Sequence, residues 1–346
     1  MIRTNWSQKR IDGTTVRIRS VRPVPDERRD ELLENAYCNT KRALKRVLAE
    51  PNNNLDATDR RSIRHVLRSS PETMHAEQRH FYSIYDPVSV LPPDQYGTVV
   101  LQAVTGCPFN CSFCTLYRTT DVTVRSIEAF EAHVEAVKSF FGRGLSSRRG
   151  VFVGDGNPLA VPEQLSGMLA VAARILPNQV ERGVLAFGNV RTVANLSQQS
   201  LETLAEKGLE RVAVGAESGS NTILELLRKP QTPGEIREGI DRLKSADIDV
   251  SVILLAGVGG SELAETHLSR TTELVASLPL DSDDIVYVSP LVRTYTADYA
   301  DRLEVRCLSP LSDDEIALQA TTLHSRLENE TPARVARYTV SESIYV

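Results

Sequence analysis

Between residues 98 and 327 the hydrophobic pattern alternates between two periods. Short runs rich in β-branched residues are followed by longer stretches with apolar positions three and four apart. The runs at 98–103, 150–153, 184–187, 211–214, 250–255 and 285–288 predict strands, and 127–141, 162–176, 200–207, 232–245, 262–278 and 312–327 predict helices. This alternation means βα units on a parallel sheet, so the fold class is α/β. Six units suit a partial (β/α)6 TIM-type barrel better than a closed eightfold one. Before residue 95 the pattern differs. Residues 1–24 read as an irregular or strand-containing lead-in. Residues 26–50 and 58–69 read as helices separated by Pro51-Asn52-Asn53-Asn54. Pro87, Pro92 and Pro93 then mark a loop. The expected organisation is a mainly helical N-terminal extension over 1–95, the partial barrel over 96–300 and a short C-terminal helical segment over 301–346.

Composition adds limits. Of 346 residues, 41% are hydrophobic and 25% charged, a mix that supports a packed core. The most apolar stretch, 252–258, is far too short to cross a bilayer, and no apolar region follows the first basic residue, so a cytoplasmic protein is expected. The net charge of −5 is uneven. Residues 1–70 hold sixteen Lys and Arg against nine Asp and Glu, a balance of +7 that leaves −12 for the rest. A basic extension can meet an anionic partner, and a solvated helical face is the plainer explanation.

There are five cysteines, Cys38, Cys107, Cys111, Cys114 and Cys307, an odd count that argues against a disulfide framework. Three fall together in Gly106-Cys107-Pro108-Phe109-Asn110-Cys111-Ser112-Phe113-Cys114, directly after the first strand of the alternating region. Thiolates at this spacing can converge on one iron–sulfur cluster. Three ligands leave one iron of a 4Fe–4S cluster open to a small molecule. A zinc site would need a fourth ligand, and no His lies between His80 and His133.

The C-x-x-x-C-x-aromatic-C segment resembles the signature of the radical S-adenosylmethionine (SAM) superfamily, and its core is most similar to the Elp3-like and MiaB-like branch. The resemblance runs over about residues 96–295. It implies a 4Fe–4S cluster on Cys107, Cys111 and Cys114 and SAM as the second cofactor. It carries further residues with it. Phe113 matches the aromatic position whose backbone meets the adenine. Gly154-Asp155-Gly156 matches a glycine-rich motif that holds the SAM ammonium, with Asp155 the chosen acceptor. Glu217 and Ser218, in Gly215-Ala216-Glu217-Ser218-Gly219, match a segment that holds the ribose hydroxyls. Arg228, preferred to Lys229 for its planar fork, and Arg191 match basic positions facing the SAM carboxylate. The glycines of 257–260 match a loop that approaches the adenine.

One cluster and no room for a cobalamin domain point to hydrogen abstraction from a small-molecule substrate: rearrangement, cyclisation, elimination or carbon–carbon bond formation. An electron donor such as flavodoxin or ferredoxin is implied. Cys307, Tyr287, Tyr295 and Tyr299 are candidate hydrogen donors. Modification of RNA or a peptide, and a non-catalytic iron–sulfur regulator, are the alternatives.

Overall fold

The computed structural model describes residues 2–9, 15–22, 26–50, 54–86, 91–114, 121–292 and 297–338. Tyr295, Pro87 and the 51–53 break lie outside them. The chain divides into two compact units, Met1–Ser83 and Ile84–Val346. The sequence reading placed the division near 95. Tyr85 and Asp86 already belong to the second unit: Tyr85 Oη donates to Val100 O at 2.9 Å, and the Asp86 N–H donates to Gln102 Oε1 at 3.0 Å.

The first unit opens with an antiparallel pair, β1 (Ile2–Lys9) and β2 (Thr15–Arg22), followed by α1 (Asp26–Ala49), α2 (Ala57–Arg68) and α3 (Pro71–Ile84). Asp56 and Asp59 form a capping box at the start of α2, satisfying N–H groups that the helix cannot. The third helix was not anticipated, because its apolar residues are too sparse to show a period.

The second unit runs β3 (Val99–Gln102), β4 (Val104–Thr105), β5 (Thr123–Val124), α4 (Ile127–Phe141), β6 (Val151–Gly154), α5 (Pro162–Ile175), α6 (Pro177–Val180), β7 (Val184–Gly188), α7 (Val190–Asn195), α8 (Gln198–Glu206) and β8 (Leu209–Glu217). It continues with α9 (Asn221–Leu226), α10 (Pro233–Ser245), β9 (Asp249–Ala256), α11 (Ala264–Ala276), β10 (Ile285–Pro290), α12 (Ala297–Val305), α13 (Asp313–Leu327) and β11 (Arg334–Arg337). Seven strands form one parallel sheet in the order β11-β10-β9-β8-β7-β6-β3. Six are the expected strands. The seventh corrects the reading of 301–346 as helical: β11 is four residues flanked by arginines, too short and polar to stand out.

The sheet is curved. β10 and β3 are five strand spacings apart, about 24 Å in a flat sheet. Yet Tyr287 Oη on β10 hydrogen-bonds Asp94 in the turn before β3. Only a sheet rolled into a partial barrel brings them together. Alternate residues therefore face outward or into the lumen. Val151, Val153, Val184, Ala186, Val212, Val214, Val252, Leu254, Val286 and Val288 face outward and are wholly or almost wholly buried, with α10 packed on β9 and α13 on β9 and β10. Among the described residues no helix is long and apolar enough to cross a membrane.

Candidate active site

The cysteine loop leaves the sheet at the C-terminal end of β3, where βα folds place their chemistry. Cys111 is 8% exposed, Cys107 and Cys114 are half-buried, and all three are free thiols. The loop is pinned between its cysteines. The Ser112 N–H donates to Leu227 O at 2.9 Å and its Oγ to Leu226 O at 3.1 Å, using carbonyls that the end of α9 leaves unpaired. From α12, Arg302 donates to the same Leu226 O at 2.7 Å and to Glu225 O at 2.8 Å. Burial pushes the Cys111 thiol up to about 11; Glu217 and the other two thiols add to this, and the Lys229 ammonium opposes it. Burial also raises Cys107.

Across from the loop lies a buried ion pair. The pairing of β8 with β9 slips between Gly215 and Glu217, and Glu217 takes a left-handed φ of 64°. The strand's last carboxylate is thereby turned onto Lys229, with Oε1 2.9 Å from Nζ and side-chain exposures of 7% and 11%. Gly215 leaves room for the pair: a Cβ there would stand 2.3 Å from Glu217 Oε1 and 2.8 Å from Lys229 Nζ. Burial works against the charged lysine. The Glu217 charge and hydrogen bond, with Cys111 and Cys107, outweigh it and hold the pKa above the ordinary lysine value. The ammonium also lies 6.0 Å from the centre of the Phe113 ring.

The loop after β6 completes the mouth. Asp155 is buried and accepts from Gln102 Nε2 at 2.8 Å. Gln102 is a fully buried hub. Its Nε2 also donates to Asp86 O at 3.1 Å, its N–H to His133 Nε2 at 3.1 Å, and its carbonyl accepts from Arg125 Nε at 2.9 Å. Gly156, at φ 48°, is required by contact with the cysteine loop, since a Cβ would stand 2.1 Å from Gly106 O.

The structure thus gathers Cys107, Cys111, Cys114, Phe113, Gly156, Glu217 and Lys229, with Gly154 and Asp155 beside them. It takes others elsewhere. Arg228, with a left-handed φ of 49°, turns outward to Asp298 at 3.2 Å and is 45% exposed; Lys229 is the cation brought to the thiols. Arg191 is 54% exposed and donates to Pro230 O at 3.5 Å. Ser218 is buried, and its Oγ shares a hydrogen bond with His267 Nδ1 at 2.9 Å, facing α11. Burial lowers His267 to about 4, so that imidazole is neutral near pH 7. Cys307 is exposed in the left-handed turn after α12, and no hydrogen bond among the described residues joins it to the three thiols. Tyr299 is buried and its Oη accepts from the Gly259 N–H at 2.8 Å. Sequence reasoning missed Gln102 and Ser112, and set Lys229 second to Arg228. Of the two missed, only Gln102 left a signal, as the one polar residue of β3.

Residues 101–268 match the family model described as "Radical SAM superfamily". Residues 101–268, a little under half of the chain, are similar to that superfamily. Its subfamily is not fixed by its relatives. It is 22% identical over 173 residues to the heme chaperone HemW of Lactococcus lactis, covering 49% of this chain and 44% of that one. It is 26% identical over 186 residues to the anaerobic magnesium-protoporphyrin IX monomethyl ester cyclase of Cereibacter sphaeroides, covering 53% and 28%. It is 27% identical over 225 residues to the tRNA-2-methylthio-N(6)-dimethylallyladenosine synthase of Dehalococcoides mccartyi, covering 62% and 50%. The chain spans half or less of the length of each. Radical SAM proteins use a 4Fe–4S cluster and SAM. The donor set here fits them: three soft thiols on one pinned loop, a buried cation beside them and two carboxylates at the rim.

Proposed function

We propose that this protein is a radical SAM enzyme acting on a small molecule, with Cys107, Cys111 and Cys114 as the cluster ligands. The observation that carries the reading is the three-thiol loop set against the buried Glu217–Lys229 pair at the C-terminal ends of β3 and β8. A 4Fe–4S cluster held by Cys107, Cys111 and Cys114 would supply the one electron needed for reductive cleavage of the SAM carbon–sulfur bond to methionine and a 5′-deoxyadenosyl radical.

The chain's residues divide the remaining work. Lys229 offsets the negative charge of three thiolates and offers N–H donors to the SAM carboxylate. Glu217 accepts from the ribose hydroxyls. Asp155, oriented by Gln102, accepts from the ammonium. Phe113 packs against the buried cluster that includes Ile223, Leu255 and Tyr299, which holds it at the edge of the mouth and excludes water. Arg228, Arg191 and Ser218 are left with structural contacts. A small reducing protein, a flavodoxin or ferredoxin, supplies the electron, which fits a cytoplasmic setting.

Anaerobically reconstituted protein given dithionite and SAM is expected to release 5′-deoxyadenosine and methionine. Cys111→Ala should lose both the brown chromophore and the cleavage. A chain that binds zinc instead, or that holds a cluster and leaves SAM intact, overturns the reading. The second of those results would favour a non-catalytic iron–sulfur protein.

A further inference from the structure

The lumen below the mouth says what kind of substrate the site accepts. Register fixes which side chains share the inner face: Phe152 stands beside Leu185, Phe187 beside Ala213, Gly215 beside Ile253, and Ile253 beside Tyr287. On the outer face, strand residues are sealed under helices. On the inner face, Leu185, Phe187, Gly215 and Ile253 stay half-buried, although their strands are central in the sheet. They line accessible space inside the barrel. The Phe152 and Phe187 rings meet edge to face, 5.0 Å apart at 82°, which leaves the accessible Phe187 ring buttressed from behind.

On β6 to β10 charge is confined to the two ends of this space; on the edge strand β11, the exposed Arg334 shares the inner face beside Ile285. At the mouth stand Asp155 and the Glu217–Lys229 pair. At the floor, Arg211 pairs with Asp249 at 3.1 Å, and Tyr287 meets Asp94. Between them the inward positions of β6 to β10 are Phe152, Gly154, Leu185, Phe187, Ala213, Gly215, Ser251, Ile253, Leu255, Ile285, Tyr287 and Ser289 by register, and none is charged. A phosphate or carboxylate placed against the β6 to β10 wall would lose its water and gain no partner from it. Hydrocarbon or an aromatic ring would bury both its own apolar surface and that of Phe187 and Ile253.

We infer that the substrate presents an uncharged, largely apolar portion to this wall, and that Phe187 and Ile253 select it. The inference rests on the proposed radical SAM activity and deepens it. An RNA segment, whose phosphates would have to pass the same wall, is the competing source.

The test follows a label. Reconstituted holoprotein with SAM and dithionite is incubated with three fractions of a perdeuterated cell extract: organic-extractable uncharged molecules, small anions retained on an anion exchanger, and total RNA. The carbon–deuterium bond broken in the substrate reappears at C5′ of 5′-deoxyadenosine, and the unpaired electron stays on the substrate carbon. Deuterated 5′-deoxyadenosine is expected from the uncharged fraction alone. Phe187→Asp should cut that label by about tenfold or more, Phe187→Leu should keep most of it, and both should retain SAM in equilibrium dialysis like the parent protein. Label from the anionic or RNA fraction, or 5′-deoxyadenosine unlabelled by the uncharged fraction, overturns the inference alone. No 5′-deoxyadenosine in any tube overturns the activity on which it rests.

Discussion

Two lysines sit in ion pairs at opposite ends of one sheet, and they are built differently. Lys244 lies at the N-terminal ends of β9 and β10, with Nζ 3.2 Å from Asp249, 2.8 Å from Asp281 and 3.0 Å from Asp284. Those three carboxylates are close enough together to suggest a cation site, and the ammonium already occupies it. Asp284, fully buried, also accepts the Val250 and Asp281 N–H groups at 2.7 and 2.9 Å. Burial opposes the Lys244 charge, and the hydrogen bonds it donates to Asp281 and Asp284 more than restore it. Lys229 has a single carboxylate partner, with thiols and a ring as its other neighbours. A cation saturated by carboxylates ties a fold together; a buried cation with one carboxylate and room beside it is set to meet something else. The contrast follows the rule that βα folds keep stability at one end and chemistry at the other.

Lys244→Met should therefore be the most damaging change to stability, about 3–5 kcal/mol in denaturant unfolding, because it strands the buried Asp284. SAM retention per folded molecule should stay normal, and a loss of retention would erase the contrast. Lys229→Met should instead weaken SAM retention by about tenfold or more. The double variant Glu217→Gln/Lys229→Met should recover the melting temperature and leave SAM binding lost; recovery of both would make the pair structural.

Acid should separate the two ends next. Burial lowers both His133 and His267 to about 4, and they support Gln102 and Ser218 near the mouth. A histidine with a depressed folded pKa contributes stability above its unfolded value of about 6.5, and that contribution is lost as pH falls towards 4. The limit is about 3 kcal/mol per imidazole. At the floor, Asp281 is held below the usual carboxylate range, chiefly by its hydrogen bond with Lys244, so that support persists until the pH drops below that range. Hydrogen exchange between pH 6.5 and 4 should show amides around Gln102 and Ser218 losing protection before those of Val250 and Asp284. Simultaneous loss would refute it.

Gln102→Leu should cost a few-fold to about tenfold in SAM affinity with little change in the circular dichroism spectrum, since it removes a hydrogen bond that orients Asp155. Arg228→Ala should do least, within about twofold in SAM retention, because its ion pair is half in water.

The six buried strands were legible because parallel strands covered on both faces read as apolar runs. The cysteine loop was legible because its chemistry is local. Lys229 was not: which of two adjacent basic residues turns inward depends on a left-handed backbone at Arg228, and neither side chain announces it. Ser112 was hidden for a related reason. Its partners are carbonyls, which carry no sequence identity, about a hundred residues downstream.

The two claims on the Leu226 carbonyl also set an order of events in synthesis. Ser112 needs α9, made more than a hundred residues later, and Arg302 lies further along the chain still, on α12. The cysteine segment emerges long before anything can hold it in shape. A cluster on these thiols would therefore wait until at least Arg302 has been made, and a product truncated before Arg302 would expose oxidisable sulfur without the anchor that protects it.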